Sequence, residues 1–142
     1  MIKSIDFFEI CKLWDYLHPG RDHIKFSRMM YLDGFSQIKD PKVFYFGFYE
    51  SNKLIGVNSC HFSEPGKFRS RGLYVLEQHR NKGIGNKLLR HTIKYAFEHV
   101  NFIWSFPKHS ALSVYEKAGF IKTSDFRKAD FGVNCYVSME NK

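Results

Sequence analysis

The spacing of apolar side chains predicts two helices in the first forty residues. The first carries a rough helical stripe made of Ile5, Phe8, Cys11, Leu13 and Trp14. It ends at the His-Pro-Gly sequence of residues 18–20, because proline and glycine terminate helices. A second, shorter helix is predicted between Ser27 and Ile38, before Pro41. The N-terminal part is therefore expected to be helical.

After residue 42 the pattern changes to short extended segments. Residues 43–50 (VFYFGFYE) and 54–62 (LIGVNSCHF) are rich in aromatic and β-branched side chains, and the short Ser-Asn-Lys connection between them predicts a hairpin. A Glu-Pro-Gly turn at 64–66 leads into a third strand, Phe68–Leu76. Gly72 lies inside this strand, where a glycine often marks a bulge or the close approach of another backbone.

From Gly85 onward the apolar spacing is helical again. One broad apolar face runs from Leu88 to Val100, with most charged residues elsewhere on the helix. A strand, Asn101–Phe106, follows and ends at Pro107. This segment therefore predicts a strand-helix-strand unit.

The C-terminal part predicts one short helix and two closing strands. The helix, Ser110–Ala118, has Ser110 as its expected N-cap and Gly119 as its C-terminal stop. The strands are Phe120–Phe126 and Val133–Met139. Together with the preceding elements they predict an α/β (α+β) fold, a mixed β-sheet flanked by helices.

Length and composition are those of an ordinary globular protein. The 142 residues, 44% hydrophobic and 25% charged, suit one domain over residues 1–142. No run of about 18 apolar residues is present, so no transmembrane helix is predicted. The N-terminal segment also lacks the small-residue cleavage site of a signal peptide.

The cysteines indicate the redox environment of the protein, and the net charge indicates the class of partner that it binds. Cys11, Cys60 and Cys135 are far apart and odd in number, which indicates reduced thiols of a cytoplasmic protein rather than disulfides or a zinc site. The seven histidines are scattered, and no metal is predicted. The net charge of +8 predicts an anionic partner, which charge alone leaves open among nucleic acid, an acidic membrane and a polyphosphate ligand.

The sequence EQHRNKGIGNKLL (77–89) is the strongest candidate for a binding site. It follows a predicted strand and opens a helix, where free N–H groups and the helix dipole attract anions. Gly83 and Gly85 allow a ligand close to the backbone, and Arg80, Lys82 and Lys87 add positive charge. The spacing fits neither a P-loop nor a dinucleotide fingerprint. Taken alone, the loop is either a phosphate site or an ordinary strand-to-helix turn.

A second motif favours the phosphate site. Arg80-Asn81-Lys82-Gly83-Ile84-Gly85 resembles the Arg/Gln-x-x-Gly-x-Gly/Ala signature of the GNAT superfamily of N-acetyltransferases. About thirty residues later, SALSVYEKAGF (110–120) resembles the family's Ala-x-x-x-Tyr-Glu-Lys-x-Gly-Phe helix. The resemblance covers residues 43–126 well and the first forty only faintly. It implies an acetyl-CoA-dependent N-acetyltransferase with a GNAT-like fold.

The resemblance also implies where acetyl-CoA binds. The cofactor would lie between two parallel strands that splay apart, here Phe68–Leu76 and Asn101–Phe106. The pantetheine arm would meet the backbone of Tyr74 and Val75. Lys108 stands where many members carry asparagine, and it either meets a CoA phosphate or is simply solvated. The pyrophosphate would be held by backbone amides of Lys82, Gly83, Ile84, Gly85 and Asn86. Arg80 would support the loop or the phosphates, and Asn81 belongs to the same cofactor-binding loop.

For catalysis the resemblance implies direct attack of an amine on the thioester. Tyr115 would protonate the departing CoA thiolate, as a phenol with pKa near 10 can, and the Val75 amide would stabilise the oxyanion. The glutamate that some members place early in the strand before the loop is missing. Glu50, His61 and Glu64 remain as candidate general bases.

Two other functions and several partners stay open on sequence alone. The chain is alternatively a GNAT-fold protein that binds another acyl-CoA or lacks catalysis, or a basic nucleic-acid-binding module, although no nucleic-acid motif appears. The acceptor is a small-molecule amine or a peptide, and a homodimer is compatible with the resemblance. Aspartates that would attract a cationic amine are Asp15, Asp22, Asp125 and Asp130.

Overall fold

The computed structural model describes residues 1–13, 42–129 and 132–142. The predicted helix at 27–38 lies outside the described residues, as do Trp14 and the aspartates Asp15, Asp22 and Asp130.

The N-terminal residues begin with a strand, so the expectation of an entirely helical start is wrong. Strand β1, Ile2–Ile5, pairs antiparallel with the next strand in register Ile2↔Phe48. Helix α1, Phe7–Cys11, follows. It starts after Asp6, whose carboxylate accepts a hydrogen bond from the Glu9 N–H at 3.0 Å. Local periodicity could not reveal β1, because its pairing partners lie forty or more residues away in the chain.

Three antiparallel strands form the centre of the sheet, as predicted. They are β2 (Val43–Glu50), β3 (Lys53–Glu64) and β4 (Lys67–Val75). Ser51 and Asn52 have positive φ values of 48° and 64°, the backbone shape that a tight hairpin turn requires. The expected bulge at Gly72 is confirmed: Gly72 has φ 78°, and the β3–β4 register shifts between Ser59↔Arg71 and Val57↔Tyr74.

Helix α2, Ile84–Phe97, links β4 to the parallel strand β5, Phe102–Ser105. Its apolar face is buried against the sheet, with Leu88, Leu89 and Ala96 fully covered. This burial explains why the helical spacing read from the sequence is correct, since amphipathic helices are stabilised mainly by packing of that face.

The C-terminal elements are shorter than predicted. Helix α3, Leu112–Lys117, follows a 3₁₀ turn at His109–Ala111 and has Ala111 at its N-cap, so Ser110 is not the cap. Gly119 ends this helix as expected, with φ 111°. The first predicted strand is reduced to β6 (Ile121–Lys122), and the second is divided into β8 (Gly132–Asn134) and β9 (Val137–Glu140). β7 (Arg127–Ala129) lies between them, where no strand was predicted.

Among the described residues, seven strands form one mixed sheet in the order β1-β2-β3-β4-β5-β9-β6. One face, the α2 face, carries α2: Asn58 of β3 donates to Thr92 of α2 at 2.9 Å. The opposite face, the α1 face, carries α1, whose Phe7 ring lies 6.1 Å from that of Tyr45. The predicted mixed sheet flanked by helices is confirmed.

Candidate functional site

The two central parallel strands are paired over only part of their length. β4 and β5 share the register pairs Lys67↔Phe102, Phe68↔Ile103 and Arg69↔Trp104, and the pairing among described residues ends there. β4 continues to Val75, whereas β5 stops at Ser105. An opening, here called the strand gap, therefore begins after Arg69 and Trp104 and extends toward the carboxyl end of β4.

The backbone of β4 directs hydrogen-bonding groups into the strand gap. The Leu76 N–H donates to the Ile55 carbonyl at 2.9 Å, toward β3. Because neighbouring residues of a strand direct their N–H groups to opposite sides, the Val75 N–H is directed toward the gap. The Val75 carbonyl, on the same side, accepts a hydrogen bond from Arg80 Nε at 2.9 Å.

The glycine loop ends in an uncapped helix N-terminus. Gly83 is the N-cap of α2, with φ 79°, and no side chain of the described residues caps the helix. The first intrahelical bond runs from the Lys87 N–H to the Gly83 carbonyl at 3.0 Å. The N–H groups of Ile84, Gly85 and Asn86 belong to the first turn, which has no intrahelical acceptors for them. Their orientation and the helix dipole favour an anion here.

Gly83 stands beside open space. A Cβ at this residue would meet no described atom within 4 Å. The glycine is therefore required by the left-handed backbone rather than by crowding within the chain, and the space above it suits a ligand. At Gly85 a Cβ would lie 3.5 Å from Val114 of α3, an ordinary packing distance.

The side chains of the loop divide into exposed basic groups and structural contacts. Arg80 and Lys82 are exposed, and the Arg80 guanidinium also lies 5.1 Å from the ring centroid of Tyr74. The Ile84 side chain is buried, so this residue can contact a ligand only through its backbone. The side-chain oxygen of Asn86 accepts a hydrogen bond from Arg90 Nε at 2.7 Å. The backbone N–H of Asn86 takes no part in this contact and belongs to the first turn of α2.

Two further predicted residues lie at the same end of the parallel strands. Asn81 has φ 64° and continues the exposed turn before Gly83. Lys108 is exposed and follows β5, where it forms an isolated bridge with Asn134. Because the loop follows β4 and Lys108 follows β5, the parallel pairing places both at the mouth of the strand gap.

Tyr115 is buried on α3, with 3% of its surface exposed. Its ring packs against Phe120 at 5.4 Å between centroids, so part of its role is that of a core aromatic. Burial raises the pKa of Tyr115, while the hydroxyls of Ser105 and Ser70 and the charge of Arg69 lower it. The phenol therefore lies beside the residues at which the two strands separate, and it is protonated at neutral pH.

Sequence reasoning missed the buried polar network around this phenol. Asn58 donates to Ser70 at 3.0 Å and to Thr92 at 2.9 Å, and Ser105 donates to the Ser70 carbonyl at 2.7 Å. All four of these residues are buried, so the network ties β3, β4, β5 and α2 together next to Tyr115. The signal available in the sequence was the polar residues at 58 and 70 within otherwise apolar or aromatic strands.

The three candidate bases lie at different places. Glu50 is at the end of β2 with its carboxylate 3.5 Å from the His79 ring, and Glu64 pairs with Lys67 at 3.3 Å in the β3–β4 turn. His61 alone of the three is paired with Arg69, where the strand gap begins. Cys60, next to it in β3, is fully buried, and burial raises the pKa of its thiol far above the ordinary value.

The described residues contain neither a cluster suited to a metal ion nor a helix suited to span a membrane. No group of three or more His, Cys, Asp or Glu side chains is arranged to hold a metal ion within residues 1–13, 42–129 and 132–142. No helix in those ranges is long and apolar enough to cross a membrane.

Comparison with solved structures identifies the fold. An IAA acetyltransferase from Bacillus cereus superimposes with a TM-score of 0.75 at 21% identity, covering 99% of each chain. An acetyltransferase of the GNAT family from Elizabethkingia anophelis, with acetyl-CoA bound, gives 0.73 at 17% identity, covering 99% of this chain and 97% of its own. An aminoglycoside acetyltransferase in complex with coenzyme A and kanamycin gives 0.70 at 19% identity, covering 99% and 94%.

Comparison by sequence identifies the family. A search of curated proteins finds no match. The family model described as Acetyltransferase (GNAT) family matches residues 7–120, which include the glycine loop, the strand gap and Tyr115. The chain is a member of the GNAT acetyltransferase family.

Proposed function

We propose that this chain transfers the acetyl group of acetyl-CoA directly to an amine, within a ternary complex and without an acyl-enzyme. The observation that carries the proposal is a convergence at one end of the parallel strands. The uncapped N-terminus of α2, the basic loop and the buried phenol of Tyr115 all adjoin the strand gap.

The residues present fit an anionic, extended cofactor. The first-turn N–H groups of α2 and the open space at Gly83 suit the pyrophosphate, which residues 82–86 would hold through their backbone. Arg80 would support the loop, since it already bonds the Val75 carbonyl, and Lys108 would contact a phosphate. The backbone of Tyr74 and Val75 would contact the pantetheine arm along the unpaired edge of β4. Acetyl-CoA supplies the activated thioester.

The steps on the developing oxyanion and on the leaving sulfur can be assigned to this chain's own groups. The neutral amine nitrogen forms a bond to the thioester carbon, and the carbon–sulfur bond then breaks. The nitrogen releases one proton to solvent, from which the Tyr115 phenolate is reprotonated. The Val75 N–H, directed at the strand gap, would stabilise the negative oxygen. Tyr115 would donate its proton to the leaving sulfur, because burial keeps the phenol protonated at neutral pH.

The environment of Cys60 supports the absence of an acyl-enzyme. A cysteine attacks as its thiolate, and complete burial makes ionisation of Cys60 unfavourable. The free thiols of Cys11, Cys60 and Cys135 fit a reducing compartment. We therefore place the activity in the cytoplasm, within one catalytic domain formed by residues 1–142.

The test is product formation from acetyl-CoA and a panel of amines, detected by mass spectrometry. The proposal predicts an N-acetylated product with wild-type protein and a much slower reaction with Tyr115→Phe. A stable acetylated protein that forms before the product would replace direct transfer with an acyl-enzyme. Acetyl-CoA binding with no transfer to any amine would favour a GNAT-fold protein that binds acyl-CoA without this chemistry.

A further inference from the structure

A buried basic cluster lies on the α1 face of the sheet and has no role in the proposed function. It consists of His61 on β3 and of Arg69 and Arg71 on β4. His61 and Arg69 are directly opposite each other in the β3–β4 register. Residues opposite each other in antiparallel strands direct their side chains to the same face. The two arginines also share this face, because they are two residues apart in β4.

The face is established by the neighbours of these residues. Phe68 stacks on His99, just beyond α2, and Ser70 bonds Asn58 on the α2 face. Arg69, between them, is therefore directed to the α1 face. There its guanidinium lies 4.8 Å from the ring centroid of Trp104.

His61 is the feature that requires an explanation. It is fully buried, and neither of its ring nitrogens has a hydrogen-bond partner among the described residues. A buried polar group without a partner costs stability, so such groups usually mark a bound water, an ion or a ligand site. Burial first, and then Arg69 and Arg71, lower the pKa of His61 to about 3. The neutral ring offers one N–H donor and one acceptor nitrogen.

The cluster lies where an acceptor would approach. The β4–β5 pairing ends at Arg69 and Trp104, so the basic cluster borders the start of the strand gap. The Ser70 and Ser105 hydroxyls beside Tyr115 lie on the α2 face. The thioester would lie in the strand gap, between the α2 face and the α1 face of the sheet. An amine attacking from the side opposite Tyr115 therefore approaches the α1 face.

We infer that the acceptor is an amine that also carries an oxyanion group, a carboxylate or a phosphate, and that the basic cluster binds this group. The inference rests on the proposed function and specifies its acceptor. The oxyanion would accept a hydrogen bond from the His61 ring and charge-assisted bonds from the guanidinium groups. Burial lowers the pKa of Arg69 to about 9, so this group remains protonated at pH 7. A guanidinium carries five donors and can serve a ligand in addition to its other contacts.

Among the aspartates expected to attract a cationic acceptor, Asp125 is the one that the structure describes, and it is exposed between β6 and β7. Arg71 is half-buried, so the cluster is nearest to solvent at that residue.

The first experiment compares matched acceptors that differ only in the anion. Each of the common amino acids is tested against its carboxamide, and phosphoethanolamine against ethanolamine, with acetylated product measured by mass spectrometry. We expect at least a tenfold higher kcat/KM for the anionic member of the preferred pair. The amino-acid pairs report a carboxylate and the phosphoethanolamine pair a phosphate. Equal or faster acetylation of the neutral members would overturn the inference while leaving the proposed function intact.

The second experiment tests binding directly and does not depend on turnover. Nuclear magnetic resonance of ring-labelled histidines, assigned with His61→Asn, should show the His61 signals moving when the preferred amino acid is added and staying in place with its carboxamide. Arg69→Met should raise the KM for the acid at least tenfold and leave the thermal shift caused by acetyl-CoA unchanged, with Arg69→Lys recovering part of the loss.

Each remaining outcome has a defined meaning. If acetyl-CoA stabilises the protein but no acceptor of the panel reacts, His61 signals that move with the acids alone support the oxyanion site. Signals that stay in place with every compound assign His61 to a structural role beside buried water and overturn it. If acetyl-CoA neither binds nor reacts, the proposed function fails, and the acceptor inference fails with it.

Discussion

Substitution of Gly83 by glutamate should remove cofactor binding while leaving the fold intact. Gly66 in the β3–β4 turn is a matched control, because its φ of 82° is close to the 79° of Gly83. At both residues a Cβ would meet no described atom within 4 Å. Gly66→Glu and Gly83→Glu therefore introduce the same charge and similar backbone strain at two different places.

The expected magnitudes follow from the backbone and from mass action. A residue with a Cβ in the left-handed region costs about 1–2 kcal/mol. The unfolding entropy of 142 residues is roughly 0.3 kcal/mol/K. Both variants should therefore unfold about 3–7 °C below wild type. Acetyl-CoA at about 100 times its dissociation constant adds roughly 2.7 kcal/mol, which raises the wild-type midpoint by about 9 °C.

Thermal unfolding with and without acetyl-CoA is the assay. Wild type and Gly66→Glu should both show the rise of about 9 °C. Gly83→Glu should show none, because its carboxylate occupies the phosphate site and repels the phosphates of acetyl-CoA. Gly83→Asn is a milder variant, since asparagine tolerates this backbone, and should keep part of the rise. The same rise in Gly83→Glu as in Gly66→Glu would refute the assignment of the glycine loop as the phosphate site.

Three further predictions concern catalysis and pH. Tyr115→Phe should lower kcat by about 10²-fold with little change in the KM for acetyl-CoA, because only proton donation is lost; an unchanged kcat would leave Tyr115 with its packing role alone. Ser105→Ala should raise the pKa of Tyr115 further, since the Ser105 hydroxyl lowers it. The alkaline limb of the pH–rate profile should therefore move to higher pH. His61, with its folded pKa lowered to about 3, takes up no proton as the pH falls below its ordinary value near 6.5, whereas the unfolded chain does. The contribution of His61 to the free energy of unfolding should therefore be constant above pH 6.5. It should fall by about 1.4 kcal/mol per unit as the pH is lowered from 6.5 to 3. Urea unfolding at several pH values should show a shallower dependence of stability on pH in the acid range for His61→Asn than for wild type; equal slopes for the two proteins would contradict the assignment.

Much of the fold, and the glycine loop of the proposed cofactor site, could be predicted from local sequence patterns. The strands from residue 43 to 76 and the helix beginning near Gly85 lie as predicted, because alternation and helical spacing report burial within one element. The glycine loop was also visible, since a strand, a basic turn with glycines and a helix follow one another along the chain. Gly72 was expected to mark a bulge or the close approach of another backbone, and the register shift beside it shows the bulge.

The features that required three dimensions all join residues distant in the chain. β1 exists because Ile2 pairs with Phe48, and no spacing within residues 2–5 indicates this partner. Tyr115 lies beside Ser70 only after the sheet and α3 have packed, across 45 positions of the chain. The acceptor side depends on the β3–β4 register, which sets His61 opposite Arg69. A shift of that register by one residue would direct the two side chains to opposite faces, and periodicity within either strand contains no information about it.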